Sequence, residues 1–262
     1  MSCHRLFLVV FSMLILLVLP LWAKNETPAS VPSTDSVPFL ETFADAALHP
    51  ETWVVTRKND FSESTVDVVG TTPENRRLRL RAATLGTRET TVKYHGVRTC
   101  QPVVDLTAPS ELAFDLDWNQ QSNGCYLTAG VLLCPTATTG NPEDEPAWLK
   151  IEYLGVPPGR NGRCQITLKR QGRLTILFAE GWPDRRRSGR TLGLQRVQVV
   201  MDRTSLQVEE NGTALYATSW CNADRRVCPL DWTRAYVYLQ QSSHSNYPAR
   251  EVFFDNIGIR GK

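Results

Sequence analysis

Short runs in which hydrophobic and polar residues alternate make up most of the chain after residue 38. The stretch 111–118 alternates in this way, and because successive side chains of a strand point to opposite faces, one face is apolar and the other largely polar. Turn residues separate many such runs, and no stretch keeps a helical period. This pattern predicts an all-β sandwich or barrel. In 111–118 the apolar face carries Leu112, Phe114, Leu116 and Trp118, and the polar face carries Glu111, Asp115 and Asp117.

The two ends of the predicted domain also have strand character. The last apolar run, residues 251–259, is β-prone and is interrupted only by the pair Asp255 and Asn256. The first run after the polar leader is 39–43. We expect the last strand to pair near the first and to close a β-sandwich.

The N-terminal segment has the composition of a targeting sequence. Residues 6–21 are almost wholly apolar and Ala23 offers a small residue for cleavage, so residues 1–23 are expected to be a secretory signal peptide. An uncleaved anchor is the alternative, but the run is shorter than the ~20 apolar residues that a spanning helix needs. Residues 24–38 are rich in Pro, Ser and Thr and predict a flexible leader, which leaves 39–262 as one domain.

The cysteines fit a secreted protein. Six of them follow the predicted signal peptide, and an even number suggests disulfides in an oxidising compartment. No pair has the C-x-x-C spacing typical of zinc sites. Sequence proximity favours the pairs Cys221–Cys228 and Cys125–Cys134 and leaves Cys100 with Cys164, one of the fifteen arrangements that six cysteines allow. The protein is therefore expected outside the cytoplasm: secreted, extracellular, periplasmic or at the cell surface, without a membrane span once the signal is cleaved.

Charge narrows the range of partners. The formal net charge of +2 argues against a nucleic-acid-binding protein, because such proteins rely on a strong positive charge. One local basic patch remains, where Trp182 precedes a run containing Arg185 and Arg187. Arginine forks suit carboxylates and sulfates, so this loop is a candidate site for an acidic polysaccharide, with a simply solvated loop as the alternative.

The order of the motifs resembles that of concanavalin A-like lectin and glucanase domains. Residues 39–53 are similar to the F-x-x-x-F … L-x-x-x-W opening of those domains, and 197–216 are similar to the V-x-V-D … V-x-V-N-G … L hairpin of laminin-G-like jelly rolls. Residues 254–257 are similar to their last strand. The resemblance covers most of 39–260 and implies a jelly-roll β-sandwich of two large antiparallel sheets, one of them concave, with ligands in the concave face or at its rim.

The resemblance also suggests where catalytic carboxylates would lie. The glucanase branch carries an E-x-D-x-x-E-like strand, and the segment around Asp115 and Asp117 is the stretch closest to it. It departs from that pattern in having Asp at the first position and no carboxylate at the last. The two side chains share one strand face, so they are candidate catalytic residues of a polysaccharide-cleaving enzyme. The alternative is a pair of solvated carboxylates on a wet sheet face.

A structural calcium ion is implied between the first and last strands. Glu41 and Asp255 occupy the corresponding positions, with Asp45 nearby, and hard oxygen ligands suit Ca²⁺. A calcium site needs six or more oxygen ligands, so the alternative is that the Asp255–Asn256 pair only shapes the strand end.

Sugars bind by stacking on aromatic rings and by hydrogen bonding to polar side chains. Besides Trp182, the segment after residue 243 offers His244, Asn246 and Tyr247 as candidate ligand-binding residues.

By resemblance, we expect a non-catalytic, lectin-like domain that binds a polysaccharide or other glycan. The first alternative is a glycoside hydrolase or polysaccharide lyase of the same superfamily. The second is a protein-interaction module without a sugar ligand, since the fold itself does not choose among these functions.

Overall fold

The computed structural model describes residues 39–58, 61–86, 93–117, 127–154, 163–180, 193–219, 230–243 and 249–261. Within these ranges the chain forms β-strands and two short 3₁₀ helices, Pro73–Asn75 and Pro142–Asp144, which confirms the predicted all-β class. None of the described helices is long and apolar enough to cross a membrane. The predicted signal peptide and leader lie outside these ranges. The strands are β1 (Phe39–Glu41), β2 (Trp53–Lys58), β3 (Glu63–Val69), β4 (Arg77–Ala83), β5 (Lys93–Thr99), β6 (Val104–Asp105), β7 (Ser110–Asp117), β8 (Leu127–Cys134), β9 (Trp148–Leu154), β10 (Arg163–Arg170), β11 (Arg173–Ala179), β12 (Leu194–Met201), β13 (Ser205–Glu210), β14 (Thr213–Ser219), β15 (Arg234–Ser243) and β16 (Arg250–Gly261).

The strands form two large sheets whose neighbouring strands are antiparallel. The first sheet has the order β14-β13-β12-β7-β16-β4-β3, and β1 also pairs with β16. The second sheet has the order β11-β10-β9-β8-β15-β5-β2, and β6 also pairs with β15. Strands distant in sequence are therefore neighbours in both sheets, and the predicted two-sheet sandwich is confirmed.

The predicted pairing of the two ends is also confirmed. In the register of β1 with β16, Phe39 lies opposite Ile259 and Glu41 opposite Ile257. On its other edge β16 pairs with β7, and one extra residue of β16 forms a bulge between Asp255 and Gly258. Asn256 adopts a left-handed backbone conformation there, with φ of 51°, which asparagine tolerates better than most residues.

The core lies between the sheets and follows from the alternation along each strand. In the first sheet, Leu112, Phe114 and Leu116 of β7 are buried in the main cluster, as the alternation predicts. In the second sheet, Ile151 and Tyr153 of β9 are buried in the same cluster. Burying one large apolar side chain contributes about 1.5–3 kcal/mol, so two facing rows of such residues hold the sheets together.

Cys134 ends β8 and is a buried thiol that donates a hydrogen bond to the carbonyl oxygen of Ala147 at 3.6 Å. Burial raises its pKa to about 11. The extended strand separates Cys134 from Leu127 by about 23 Å, and two further residues span at most about 7 Å. Because a disulfide needs Cα atoms within about 7 Å, the expected Cys125–Cys134 pair is out of reach.

The expected pairing of Cys100 with Cys164 does not fit the sheet order either. Cys100 directly follows β5, and Cys164 lies on β10, with β15, β8 and β9 between the two strands. Four strand spacings amount to about 19 Å. The pair Cys221–Cys228 lies outside the described residues and stays a prediction.

Gly130 lies where two strands approach closely. A methyl group there would come within 2.2 Å of the carbonyl oxygen of Ile151. We expect Gly130→Ala to lower the free energy of unfolding by about 1–3 kcal/mol, because the strands have to move apart. Gly140→Ala is the control, since its nearest atom would lie at an ordinary 3.5 Å. Urea unfolding of both variants checks this, and equal stability would contradict the close approach.

His95 lies on the core side of β5, where its ring nitrogens contact Ser64 Oγ at 3.1 Å and Gln241 Oε1 at 2.6 Å. Burial lowers its pKa to about 4. Because the unfolded chain takes up this proton near pH 6.5, stability falls as the pH drops from about 6.5 towards 4. His95→Gln should flatten this part of the pH–stability curve measured by thermal unfolding, and an unchanged slope would assign it to other groups.

Candidate functional site

The centre of the site is the face of the second sheet turned away from the core, which we call the polar face. On β9, Leu149, Ile151 and Tyr153 point to the core, so the side chains of Lys150 and Glu152 point to the polar face. Both are nevertheless buried, with 4% and 6% of their surface exposed. Buried charges are costly unless they are paired, so their partners define the site.

Lys150 pairs with two carboxylates. Its Nζ donates to Glu143 Oε1 at 2.7 Å and forms an ion pair with Glu152 Oε2. Burial alone would lower the pKa of Lys150, but the two carboxylates outweigh burial and raise it, so the ammonium stays charged. Because both carboxylates contact one nitrogen atom, their nearest oxygens lie no more than about 5.5 Å apart, close to the carboxyl separation of retaining glycosidases.

The backbone of Glu143 is held on both sides. It lies in the short helix Pro142–Asp144, where Asn141 Oδ1 accepts a hydrogen bond from the Glu143 N–H at 3.0 Å. Asparagine before proline is a favourable helix start, since the side chain caps and the ring fixes the first φ. The carbonyl oxygen of Glu143 accepts from Trp148 Nε1 at 3.2 Å and from Lys169 Nζ at 2.7 Å.

The side chain of Glu143 is held by a second strand as well. Gln240 of β15 donates from Nε2 to Glu143 Oε1 at 3.0 Å. In the sheet register, Gln240 lies between Gly130 on β8 and Gly96 on β5, and Glu152 follows beyond Gly130. Glu143, whose side chain is 26% exposed, is the member of this cluster that solvent reaches best.

Residues 135–147 cross the outer side of the second sheet, and we call them the covering loop. Tyr238 connects the loop to β15, because its hydroxyl donates to Thr136 O at 2.7 Å and accepts from Thr138 N at 2.9 Å. Arg98 on β5 donates to Thr138 O at 3.0 Å, and Lys58 on β2 pairs with Asp144. Contacts to several strands thus fix where Glu143 lies.

The predicted catalytic pair lies on the other side of the sandwich. Asp115 and Asp117 share the outer face of β7 in the first sheet, as the alternation predicts, but each is paired with arginine. Arg196 binds both oxygens of Asp115 at 2.9 and 3.1 Å, and Arg77 donates to Asp117 at 2.9 Å. Asn256 Nδ2 donates to Asp115 at 2.8 Å. Carboxylates whose oxygens are bound by arginine in this way suit a structural role.

The residues expected to bind calcium, Glu41 and Asp255, accept hydrogen bonds from neighbouring groups. Glu41 Oε1 accepts from Phe43 N at 2.7 Å, and Oε2 accepts from Trp53 Nε1 at 3.0 Å. Burial raises the pKa of Asp255, whose Oδ1 accepts from Asn256 N at 2.8 Å. Across the described ranges, no group of three or more His, Cys, Asp or Glu side chains is placed to hold a metal. The calcium ion therefore stays a prediction from the resemblance alone.

The candidate sugar-binding residues in the loops cannot be placed relative to this site. All of them lie outside the described residues: Trp182, Arg185, Arg187, His244, Asn246 and Tyr247.

The sequence patterns did not point to Glu143, Lys150 and Glu152 as site residues. One signal was present, since Lys150 and Glu152 alternate with Leu149, Ile151 and Tyr153, which places two charges on one face of an otherwise apolar strand.

No protein-family model matches the sequence, and no curated protein matches it significantly. Solved structures match over most of the chain. A protein described with endo-acting O-glycanases of the human gut microbiota that initiate mucin breakdown aligns with a TM-score of 0.57 at 12% identity, covering 86% of this chain and 98% of that one. The β-glucanase of Bacillus licheniformis aligns with a TM-score of 0.53 at 11% identity, covering 87% and 99%.

The catalytic domain of an endo-1,3-β-glucanase (laminarinase) from Thermotoga petrophila aligns with a TM-score of 0.54 at 12% identity, covering 84% of this chain and 95% of that one. The fold is a concanavalin A-like jelly roll. The predicted fold is thus confirmed. The expectation of a non-catalytic, lectin-like domain is corrected, because the proteins of similar structure are mostly enzymes that cleave glycans.

Lys150 allows a test of the buried cluster in this jelly roll. We expect Lys150→Met to cost about 3–5 kcal/mol of unfolding free energy, because it leaves the buried Glu152 without its cation. Lys58→Met is the control: it removes a partner of Asp144 in an exposed ion pair and should cost less than about 1 kcal/mol. Denaturant unfolding compares the two, and similar losses would mean that the Lys150 pair contributes no more than a surface pair.

Proposed function

We propose that the protein is a glycoside hydrolase that acts on a polysaccharide or other glycan, with Glu143 and Glu152 as its carboxylate pair. The observation that carries this proposal is the placement of Glu143: its N–H, its carbonyl oxygen and its carboxylate are each bound by a separate side chain. Each of these three contacts restricts the position of Glu143, and together they fix its carboxylate beside that of Glu152. A carboxylate fixed in this way favours a catalytic role.

The two carboxylates suit different roles. Glu152 is buried and forms an ion pair with Lys150, which holds its carboxylate in a fixed position, as a nucleophile requires. Glu143 is more exposed and lies where it can exchange protons, as an acid–base residue requires. In a retaining reaction Glu152 attacks the anomeric carbon while Glu143 protonates the departing oxygen; Glu143 then removes a proton from the water that releases the sugar.

Lys150 imposes one condition on this mechanism. The ammonium of Lys150 donates to Glu143 Oε1, whereas Glu143 has to hold a proton for the departing oxygen when the glycosidic bond breaks. Lys150 also contacts Glu152, so a small movement towards Glu152 releases Glu143.

A polysaccharide lyase is the second candidate, and the charged Lys150 favours it. A lyase removes the proton next to a uronate carboxylate and eliminates the sugar at the neighbouring carbon, so a cation that neutralises the uronate assists the reaction. Such an enzyme would form an unsaturated sugar that absorbs ultraviolet light, whereas hydrolysis forms a reducing end without this absorbance.

We also propose that the protein acts outside the cytoplasm. The apolar run 6–21 supports this, because it has the pattern of a secretory signal. Glycan-cleaving proteins among the similar structures fit the same location, since polymeric substrates of this kind do not enter cells.

The test is product release from a substrate panel: laminarin, mixed-linkage β-glucan, mucin, alginate and polygalacturonate. Glu143→Gln and Glu152→Gln should each lower kcat at least about a hundredfold on the glycan that is cleaved. Asp115→Asn and Asp117→Asn are the controls and should keep kcat while lowering the melting temperature. Both reactions release a reducing end, so the ultraviolet absorbance of the unsaturated product distinguishes elimination from hydrolysis.

Three outcomes would contradict the proposal. Full activity in both Glu143→Gln and Glu152→Gln would show that the reaction does not take place on the polar face. Loss of activity only in the Asp115 and Asp117 variants would place the chemistry on the first sheet. A folded protein that releases no product from the whole panel would count against an enzyme of this kind.

A further inference from the structure

Gln240 is fully buried on the polar face, and its side chain contacts the candidate catalytic carboxylate. Its Nε2 donates to Glu143 Oε1 at 3.0 Å. Because an ionised carboxylate only accepts hydrogen bonds, the nitrogen of the amide has to face Glu143, and the oxygen has to point away from it. The orientation of the amide group is therefore fixed by chemistry.

The oxygen of the Gln240 side chain differs from its nitrogen. In the described part of the chain, Gln240 Oε1 is buried and has no hydrogen-bond partner. A buried acceptor without a partner lowers stability, whereas an apolar side chain of the same length would carry no such cost. The contribution of Gln240 to folding therefore does not explain why an amide stands at this position.

Two other buried glutamines show the ordinary arrangement. Gln241, the next residue, points to the core, where Oε1 contacts His95 Nε2 at 2.6 Å and Nε2 donates to Arg250 O at 3.3 Å. Gln195 on β12 accepts from Asn211 Nδ2 at 2.9 Å. In both of these glutamines Oε1 has a hydrogen-bond partner, whereas Oε1 of Gln240 has none among the described residues.

We infer that Gln240 is a positioning residue for Glu143, an inference that rests on the proposed function. Without Gln240, the carboxylate of Glu143 would be held by the ammonium of Lys150, which it shares with Glu152. A second donor from a different strand fixes the direction of the carboxylate.

The experiment compares Gln240→Met with Gln195→Met, each measured for melting temperature, kcat and KM on the glycan that the wild type cleaves. For Gln240→Met we expect a melting temperature no lower than that of the wild type. We expect kcat to fall about tenfold, as for the loss of one hydrogen bond to a charged group, with a smaller change in KM.

Gln195→Met should show the opposite pattern, with a lower melting temperature and unchanged kcat. In a Glu143→Gln background, Gln240→Met should have no further effect on kcat, because it acts through Glu143. A large loss of stability in Gln240→Met, an unchanged kcat, or full additivity with Glu143→Gln would each overturn the inference while leaving the proposed function standing. A wild type inactive on the whole panel would overturn both.

Discussion

Each strand of a two-sheet sandwich has one face for the core and one face away from it, and the rest of this structure depends on that constraint. Apolar residues fill the space between the sheets, so polar side chains have to lie on the two outer faces. The chain uses these faces differently. The first sheet covers its outer face with paired charges, and the second sheet covers part of its own with a loop.

The difference shows in how the charges are solvated. On the first sheet, the buried Asp115 is bound by Arg196, which is itself largely exposed, so water screens this pair on one side. On the second sheet, Lys150 and Glu152 are both buried. Charges buried in this way contribute little net stability but hold one another in defined positions. An arrangement of that kind is what a reaction requires, since it keeps charged groups oriented before the substrate arrives.

Much of the fold was predictable because alternation is a local property of the sequence. The core residues of β7 follow from it directly. The pairing of β1 with β16 was expected because apolar runs stand at the two ends of the domain and a sandwich has to be closed. The site was not predictable in the same way, because its contacts join distant parts of the chain. Glu143 and Gln240 are 97 residues apart, and Asp115 and Arg196 are 81 residues apart. Alternation showed that Asp115 and Asp117 share a face, but not that arginines from other strands neutralise both.

The bulge at Asn256 has a consequence for how the last strand can change. Before it, Val252 and Phe254 are buried, and after it, Ile257 and Ile259 are buried, so the inward positions pass from even to odd numbers. Without Asn256 the alternation would be regular and Ile257 and Ile259 would still point inward, whereas one residue inserted after the bulge would turn the rest of β16 over. Replacing side chains around the bulge is a local change, whereas an insertion is not. Natural and engineered variants of the domain should therefore tolerate substitutions in this strand far better than single-residue insertions.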